Sequence, residues 1–362
     1  MKHLVLLGAG HAHLQVLRAL AQAPVASTRV TLVSPFPAFV YSGMVPGVVA
    51  GHYASADAAI PIAALAARAG AAFVIGSAAH VDAAACQVTL ADAGVLGGDA
   101  ISIDTGAVMD RDAIAGAREH ALFVRPIEAF VGALAALWVR AQLGALDAVV
   151  IGGGAAGVEL ALALRFRLGA SARISLVTGG PPPLPEHAPS VQARVRRTIE
   201  RHGITLLEDS CRAIEAGHVL LGSGVRLVCD ASLVAIGASA PRWLADSGLA
   251  LDEGGFVSTG PTLQSRSHPC IFAVGDVASR SDAPRARSGV YAVRAGPPLA
   301  ANLRRFIAGD ALLRYQPQRR ALSLLACGER RAIASWGAWS AEGRWVWWWK
   351  DRIDRAFVAR YR

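Results

Sequence analysis

Residues 3–13 read HLVLLGAGHAH and residues 147–157 read DAVVIGGGAAG. The same short script, an aliphatic run, a glycine-rich turn and the opening of a helical pattern, is thus written twice in one chain. Each copy leads to a second aliphatic run, VTLVS at 30–34 and ISLVT at 174–178. Gly8 and Gly152, Gly10 and Gly154, and Ser34 and Thr178 are all offset by 144 residues. One such turn is a weak signal. Two in matched register, each between a strand-like and a helix-like stretch, require two βαβ units and so two mostly parallel sheets.

The chemistry that needs this pattern is pyrophosphate binding. Gly152 permits the tight turn, Gly154 lets the backbone approach the phosphates, and Gly157 lets the helix pack on the strand. Ala155 opens that helix, whose free N–H groups and positive dipole end face the anion. The first copy departs from the pattern. It reads Gly8-Ala9-Gly10-His11-Ala12-His13, with His13 where the third glycine belongs. A side chain there is expected to push the helix off the strand or bend its start. His11 either faces the phosphates or has no chemical role. Ser34 and Thr178 occupy the strand ends where an acidic residue usually holds a ribose, so NADH and NADPH are not distinguished.

The chain has 362 residues, of which 53% are hydrophobic and 17% charged, enough for two or three domains with substantial cores. That balance excludes intrinsic disorder as the main state. The five cysteines, Cys86, Cys211, Cys229, Cys270 and Cys327, are scattered without a CxxC pair. A disulfide-stapled scaffold and a local metal site are excluded, and the expected setting is the reducing cytoplasm. The N-terminus imitates a signal peptide, but its apolar run is short and broken by His11, His13 and Gln15. It is read as a strand and helix of the mature fold, and no membrane-crossing helix is expected.

Further motifs carry a family resemblance. Cys270-Ile271-Phe272-Ala273-Val274-Gly275-Asp276 reads as a buried strand ending in Gly-Asp. Ile103-Asp104-Thr105-Gly106 and Ala235-Ile236-Gly237 look like the two strand ends where the chain crosses between domains. Together they resemble the two-dinucleotide-domain flavoproteins, the glutathione reductase superfamily. The resemblance implies an α/β fold with two Rossmann-like domains, the NAD domain inserted in the FAD domain, plus a C-terminal segment. FAD would use residues 1–108 and 239–308, NAD(P)H would use 109–238, and 309–362 would complete the chain. It also implies cofactor contacts at Gly8, Gly10, His11, Ala12, Ser34, Thr105, Gly106, Gly275 and Asp276 for FAD. For NAD(P)H it implies Gly152, Gly154, Ala155, Gly157, Thr178 and Gly237. Within the superfamily the chain looks most like type II NADH dehydrogenases and the flavoprotein module fused ahead of selenophosphate synthase. Gly10-His11-Ala12-His13, the run Tyr41 to Gly47 and the run Trp349 to Arg355 carry the second likeness.

The expected reaction is hydride transfer from NAD(P)H to FAD and on to a small-molecule acceptor, with quinone as the candidate and no redox disulfide. Glu159 matches a position that lies near the nicotinamide end in type II dehydrogenases; a residue stabilising the helix dipole is the alternative. The quinone-lining glutamines of that group have no counterpart in Tyr291 to Pro297, so the acceptor stays open. Sulfide:quinone oxidoreductase-like chemistry, with Cys327 near the flavin, is one alternative. A flavin-binding accessory protein linked to selenium metabolism is another.

Charge is uneven. Residues 285–362 hold 16 of the 36 Lys and Arg residues but 5 of the 27 acidic ones. Six of the eight tryptophans lie between Trp336 and Trp349. Trp345, Trp349, Ile353, Phe357 and Tyr361 recur every fourth residue, an apolar stripe with basic flanks. Such a helix either packs on the protein or meets an anionic membrane surface, here the inner face of the cell membrane. Nucleic acid is not expected, because no binding motif accompanies the basic residues.

Overall fold

The computed structural model describes all 362 residues. Two five-stranded sheets, parallel throughout, organise it. In the first, strand Lys2–Leu7 lies at the centre between Thr28–Ser34 and Ala100–Ile103, with Ala72–Ile75 and Ile271–Ala273 at the edges. In the second, Ala148–Ile151 is central, between Ile174–Val177 and Ala231–Val234, with Thr205–Leu207 and Leu122–Phe123 outside. The segment read as a false signal peptide is therefore the central strand of a sheet.

The duplication extends beyond the glycine turns. Between an edge strand and the next inner strand in sequence each sheet sends out a three-stranded antiparallel meander, Ala78–Gly97 in the first and Cys211–Val228 in the second. Strands buried on both faces read as continuous aliphatic runs, and Lys2–Leu7 shows why. Leu4 and Leu6 point into the large core shared with the second unit, whereas Val5 and Leu7 point into a smaller core closed by Val81, Val88 and Leu90.

Val108 and Ser239 exchange both backbone hydrogen bonds, at 2.9 and 2.8 Å, so the chain enters and leaves the second unit side by side. Helix Gly289–Ala308 then packs along helix His11–Gln22. The chain ends in an antiparallel sheet, Ser323–Ala326, Ala332–Trp336 and Trp339–Gly343, and the helix Arg344–Tyr361.

That last helix corrects the expected stripe. Phe357 and Tyr361 are buried, but Trp345 is 52% exposed, Trp349 36% and Ile353 41%. Residues four apart advance about 40° round a 3.6-residue helix, so the two ends of the series face roughly 160° apart. The buried face runs instead through Val346, Lys350, Asp354, Phe357 and Tyr361. No helix is long and apolar enough to cross a membrane.

Candidate functional site

Both glycine turns lie at the C-terminal edge of their sheets, where parallel strands leave a crevice. At the first, Gly8, Gly10, His11, Ser34, Thr105, Gly106 and Asp276 line one cleft of about 320 Å³. Gly8 has φ +89°, and a Cβ there would stand 2.5 Å from the carbonyl oxygen of Asp104. Ala12 and Gly275 stand back from the cleft. Ala12 is fully buried, and a Cβ on Gly275 would lie 2.6 Å from Asp104 Oδ1.

Asp104, quoted in the strand-end motif without a role of its own, organises this turn. Its Oδ2 accepts from the N–H of Ala12 at 2.8 Å and of His13 at 2.9 Å. Helix geometry leaves the first-turn amides without partners, and Asp104 takes two of them. The N–H of His11 is the one left for a phosphate. Burial pushes the Asp104 carboxyl up to about 8.

His13 does not displace the helix as expected. It is fully buried, its Nδ1 lies 2.5 Å from the Gly8 carbonyl oxygen and its Nε2 2.8 Å from Ser102 Oγ. A carbonyl only accepts, so Nδ1 carries the proton and Nε2 accepts from the serine. Burial holds this imidazole down at about 4, so it is neutral. The imidazole is accommodated because it bonds the carbonyl it would otherwise crowd. The His11 ring turns toward the aromatic cluster, edge-on to Phe39 at 4.8 Å and Tyr41 at 5.9 Å. Its shielded Nε2 has no partner in the protein.

Asp276 accepts from Arg125 Nη1 at 3.0 Å, a bridge across the two units. Ser34 and Thr178 direct their hydroxyls to backbone carbonyls of Phe36 and Leu207, at 3.3 and 3.5 Å.

The second turn is more open. Gly152 has φ +132°, and a Cβ on Gly157 would meet the Gly152 carbonyl oxygen at 1.9 Å. A Cβ on Gly154 or Gly237 would meet nothing within 4 Å. The position equivalent to Asp104 is Ala235, so no carboxylate claims the first-turn amides of Ala155, Ala156 and Gly157. Past Thr178 the chain runs Gly179-Gly180-Pro181-Pro182-Pro183-Leu184 and is tied back by a Leu184 N–H to Gly153 carbonyl bond of 2.8 Å.

Glu159, on the helix of the second turn, accepts from the Ala326 N–H at 2.7 Å. Burial pushes its carboxyl up to about 7, with Lys350 pulling the other way. Lys350 comes from the C-terminal helix. Its Nζ donates to the Gly43 carbonyl at 2.6 Å and to Asp354 Oδ2 at 2.7 Å. Gly43 adjoins Ser42 of the first cleft, so Lys350 joins the two halves of the site. Tyr41 stacks on Phe357 at 4.3 Å beside this pair. Cys327 lies next to Glu159, its thiol pushed up to about 12 by burial and that carboxylate. None of the five cysteines lines the first cleft, and all are free.

Residues 2–296 match the family model described as pyridine nucleotide-disulphide oxidoreductase. A protein of Pestalotiopsis fici described as oxidoreductase ptaL is 28% identical over 201 residues, 54% of this chain. That match spans about half of the relative, 53% of its length. The fold is similar to the sulfide:quinone oxidoreductase of Aquifex aeolicus, with TM-score 0.82 and 19% identity, covering 100% of this chain and 92% of the other. It is also similar to NDH2 of Plasmodium falciparum in complex with NADH, with TM-score 0.81 and 14% identity, covering 99% and 97%.

Proposed function

The chain belongs to the pyridine nucleotide-disulphide oxidoreductase family, and on that premise we propose that it is a FAD-dependent enzyme oxidising NAD(P)H. The observation that carries this reading is the open second turn. Gly154 faces space that no protein atom fills, above three first-turn amides with no carboxylate among them. That is a cradle for a second pyrophosphate. The first cleft fits FAD through the His11 amide, the Gly106 turn, Asp276 held by Arg125, and the unpartnered His11 Nε2.

When bound, nicotinamide supplies hydride and the flavin accepts it. The protein's part is placement and proton control. The two glycine turns would hold the two dinucleotides on adjoining sheets, and Phe39, Tyr41 and Phe357 pack around the His11 ring at the first of them. Glu159, with its carboxyl near neutrality, holds or releases a proton at the seam, and Lys350 sets its charge balance. A bound flavin, once reduced, would hand its electrons to a small-molecule acceptor, with a quinone as the candidate. A sulfide route would need a thiolate at the flavin, and the buried Cys327 thiol is held protonated.

The exposed row Trp345, Trp348, Trp349 and Ile353, flanked by Arg344 and Arg352, supports contact with an anionic membrane surface. Sedimentation with anionic vesicles at low salt, and release at high salt, tests it. Protein that stays in the supernatant at low salt contradicts it.

Gly154→Ala tests the dinucleotide reading. Gly154 has φ −75°, which alanine adopts, and the methyl group meets no protein atom. The variant keeps wild-type stability and flavin content, while KM for NAD(P)H rises about tenfold or more through lost phosphate hydrogen bonds. An unchanged KM removes the second turn from the reaction.

A further inference from the structure

Two thiols meet in the smaller core. Cys86 belongs to the first meander, in the tight turn between strands Ala78–Asp82 and Gln87–Leu90, and Cys270 directly precedes strand Ile271–Ala273. The turn is tied by the Cys86 N–H to the Ala83 carbonyl at 3.4 Å and by the Ala85 N–H to Asp82 Oδ1 at 2.9 Å. Cys86 has φ +50°, in the left-handed region where glycine or asparagine is the usual occupant. Its side chain is buried in the core with Val81, Val88 and Leu249, and the partly exposed Cys270 packs against the same core.

One short segment holds both cysteines. The Cys86 carbonyl accepts from the Gly98 N–H and the Cys270 carbonyl from the Ile101 N–H, each at 3.0 Å. The same Ile101 amide faces the Cys86 sulfur, and the two side chains are hydrogen-bonded to each other. They lie side by side as free thiols. Apolar packing accounts for a single small buried residue, but not for a cysteine in a glycine-favouring conformation with a second cysteine at its sulfur. We propose that Cys86 and Cys270 are an oxidant-sensitive pair that hydrogen peroxide converts to a disulfide. Burial pushes the Cys86 thiol up, so the first step falls on the more exposed Cys270. Its thiolate attacks the peroxide, the O–O bond breaks, and Cys270 becomes a sulfenic acid as one water leaves. The Cys86 sulfur then attacks the Cys270 sulfur, and the hydroxyl group departs with the Cys86 proton as a second water. Two thiols have lost two electrons and two protons, and one peroxide has become two waters. The new bond ties the meander to the strand that runs into the Gly275–Asp276 turn. Neither cysteine lines the first cleft, so the pair stands apart from the hydride-transfer reading, and its test uses neither turnover nor flavin colour.

Fully reduced, purified protein is treated with hydrogen peroxide, its remaining thiols are blocked with N-ethylmaleimide, and its peptides are mapped by mass spectrometry without reductant. Wild type, Cys86→Ser, Cys270→Ser and Cys327→Ser are compared, with circular dichroism to confirm the fold of the variants. The expected result is a peptide pair joined through Cys86 and Cys270 in wild type and in Cys327→Ser, separated by dithiothreitol and absent from the other two. In Cys86→Ser the sulfenic acid has no thiol to meet, and dimedone labels Cys270. Three results in wild type, which needs no variant to fold, overturn the proposal. They are recovery of both thiols intact, oxidation of Cys270 to the sulfinic acid without the joined peptides, and joining of a different pair while Cys86 and Cys270 stay free.

Discussion

At the residue scale, the buried ionisable groups set how the protein answers to pH. Asp104 and Glu159 have carboxyls raised by burial to about 8 and about 7, well above their unfolded values near 4. Each binds its proton more tightly when folded, so its stabilising contribution is whole below about pH 4 and is lost as pH rises to the folded value. His11 and His13 run the other way, depressed by burial to about 4. Their contribution is lost in acid and regained between about pH 4 and 6.5. The two pairs oppose each other up to about pH 6.5, and above that only the carboxyls still titrate. The melting temperature should therefore fall between about pH 6.5 and 8.5, and Asp104→Asn should flatten that fall, as differential scanning fluorimetry would show. A rising or level profile in wild type would contradict the assignment. Glu159 adds a kinetic signature. The rate of flavin bleaching by saturating NAD(P)H should inflect near pH 7, and Glu159→Gln should remove the inflection. An identical profile in the variant would leave Glu159 a structural role alone.

At the element scale, the C-terminal helix Arg344–Tyr361 matters because it buries a charged pair against Gly43, beside the first cleft. Lys350 and Asp354 have side chains only 10% and 5% exposed. Removing one partner strands the other, so Lys350→Met should cost about 3–5 kcal/mol in urea denaturation. The double variant Lys350→Met, Asp354→Leu should recover most of that stability, because an apolar pair of similar volume replaces a buried ion pair at little net cost. It should still reduce its flavin slowly, since Glu159 would lack its cation. Full-rate reduction by the double variant would restrict the pair to packing. The first glycine helix offers a second case. His13→Ala removes a buried ring and two hydrogen bonds and should cost roughly 2–4 kcal/mol. The glycine turns and the strands beside them were legible because φ > 0 and close backbone approach leave glycine little substitute. The roles of Lys350, Arg125 and Asp104 were not, because each acts on residues 91 to 307 positions away. The stripe on the last helix misled because its spacing of four drifts off the helical period.

At the scale of the whole molecule, two copies of one architecture have diverged in what stands at the start of each glycine helix. The first carries its own carboxylate, Asp104, and offers one amide; the second has Ala235 in that place and offers three. The first helix start thus has one free amide and the second has three. The C-terminal segment closes the seam between them through Glu159, Lys350 and Gly43. The doubled glycine script made the two parallel sheets and their two glycine turns legible. The divergence between the copies lay in partners that only the folded chain brings together. Passage of electrons from the second site to the first is the step on which the proposed function stands. The visible spectrum of the purified protein under anaerobic conditions, before and after NADH and then NADPH, reads that step. The expected result is flavin bands that bleach with at least one of the two nucleotides. Flavin bands that persist under both would contradict it.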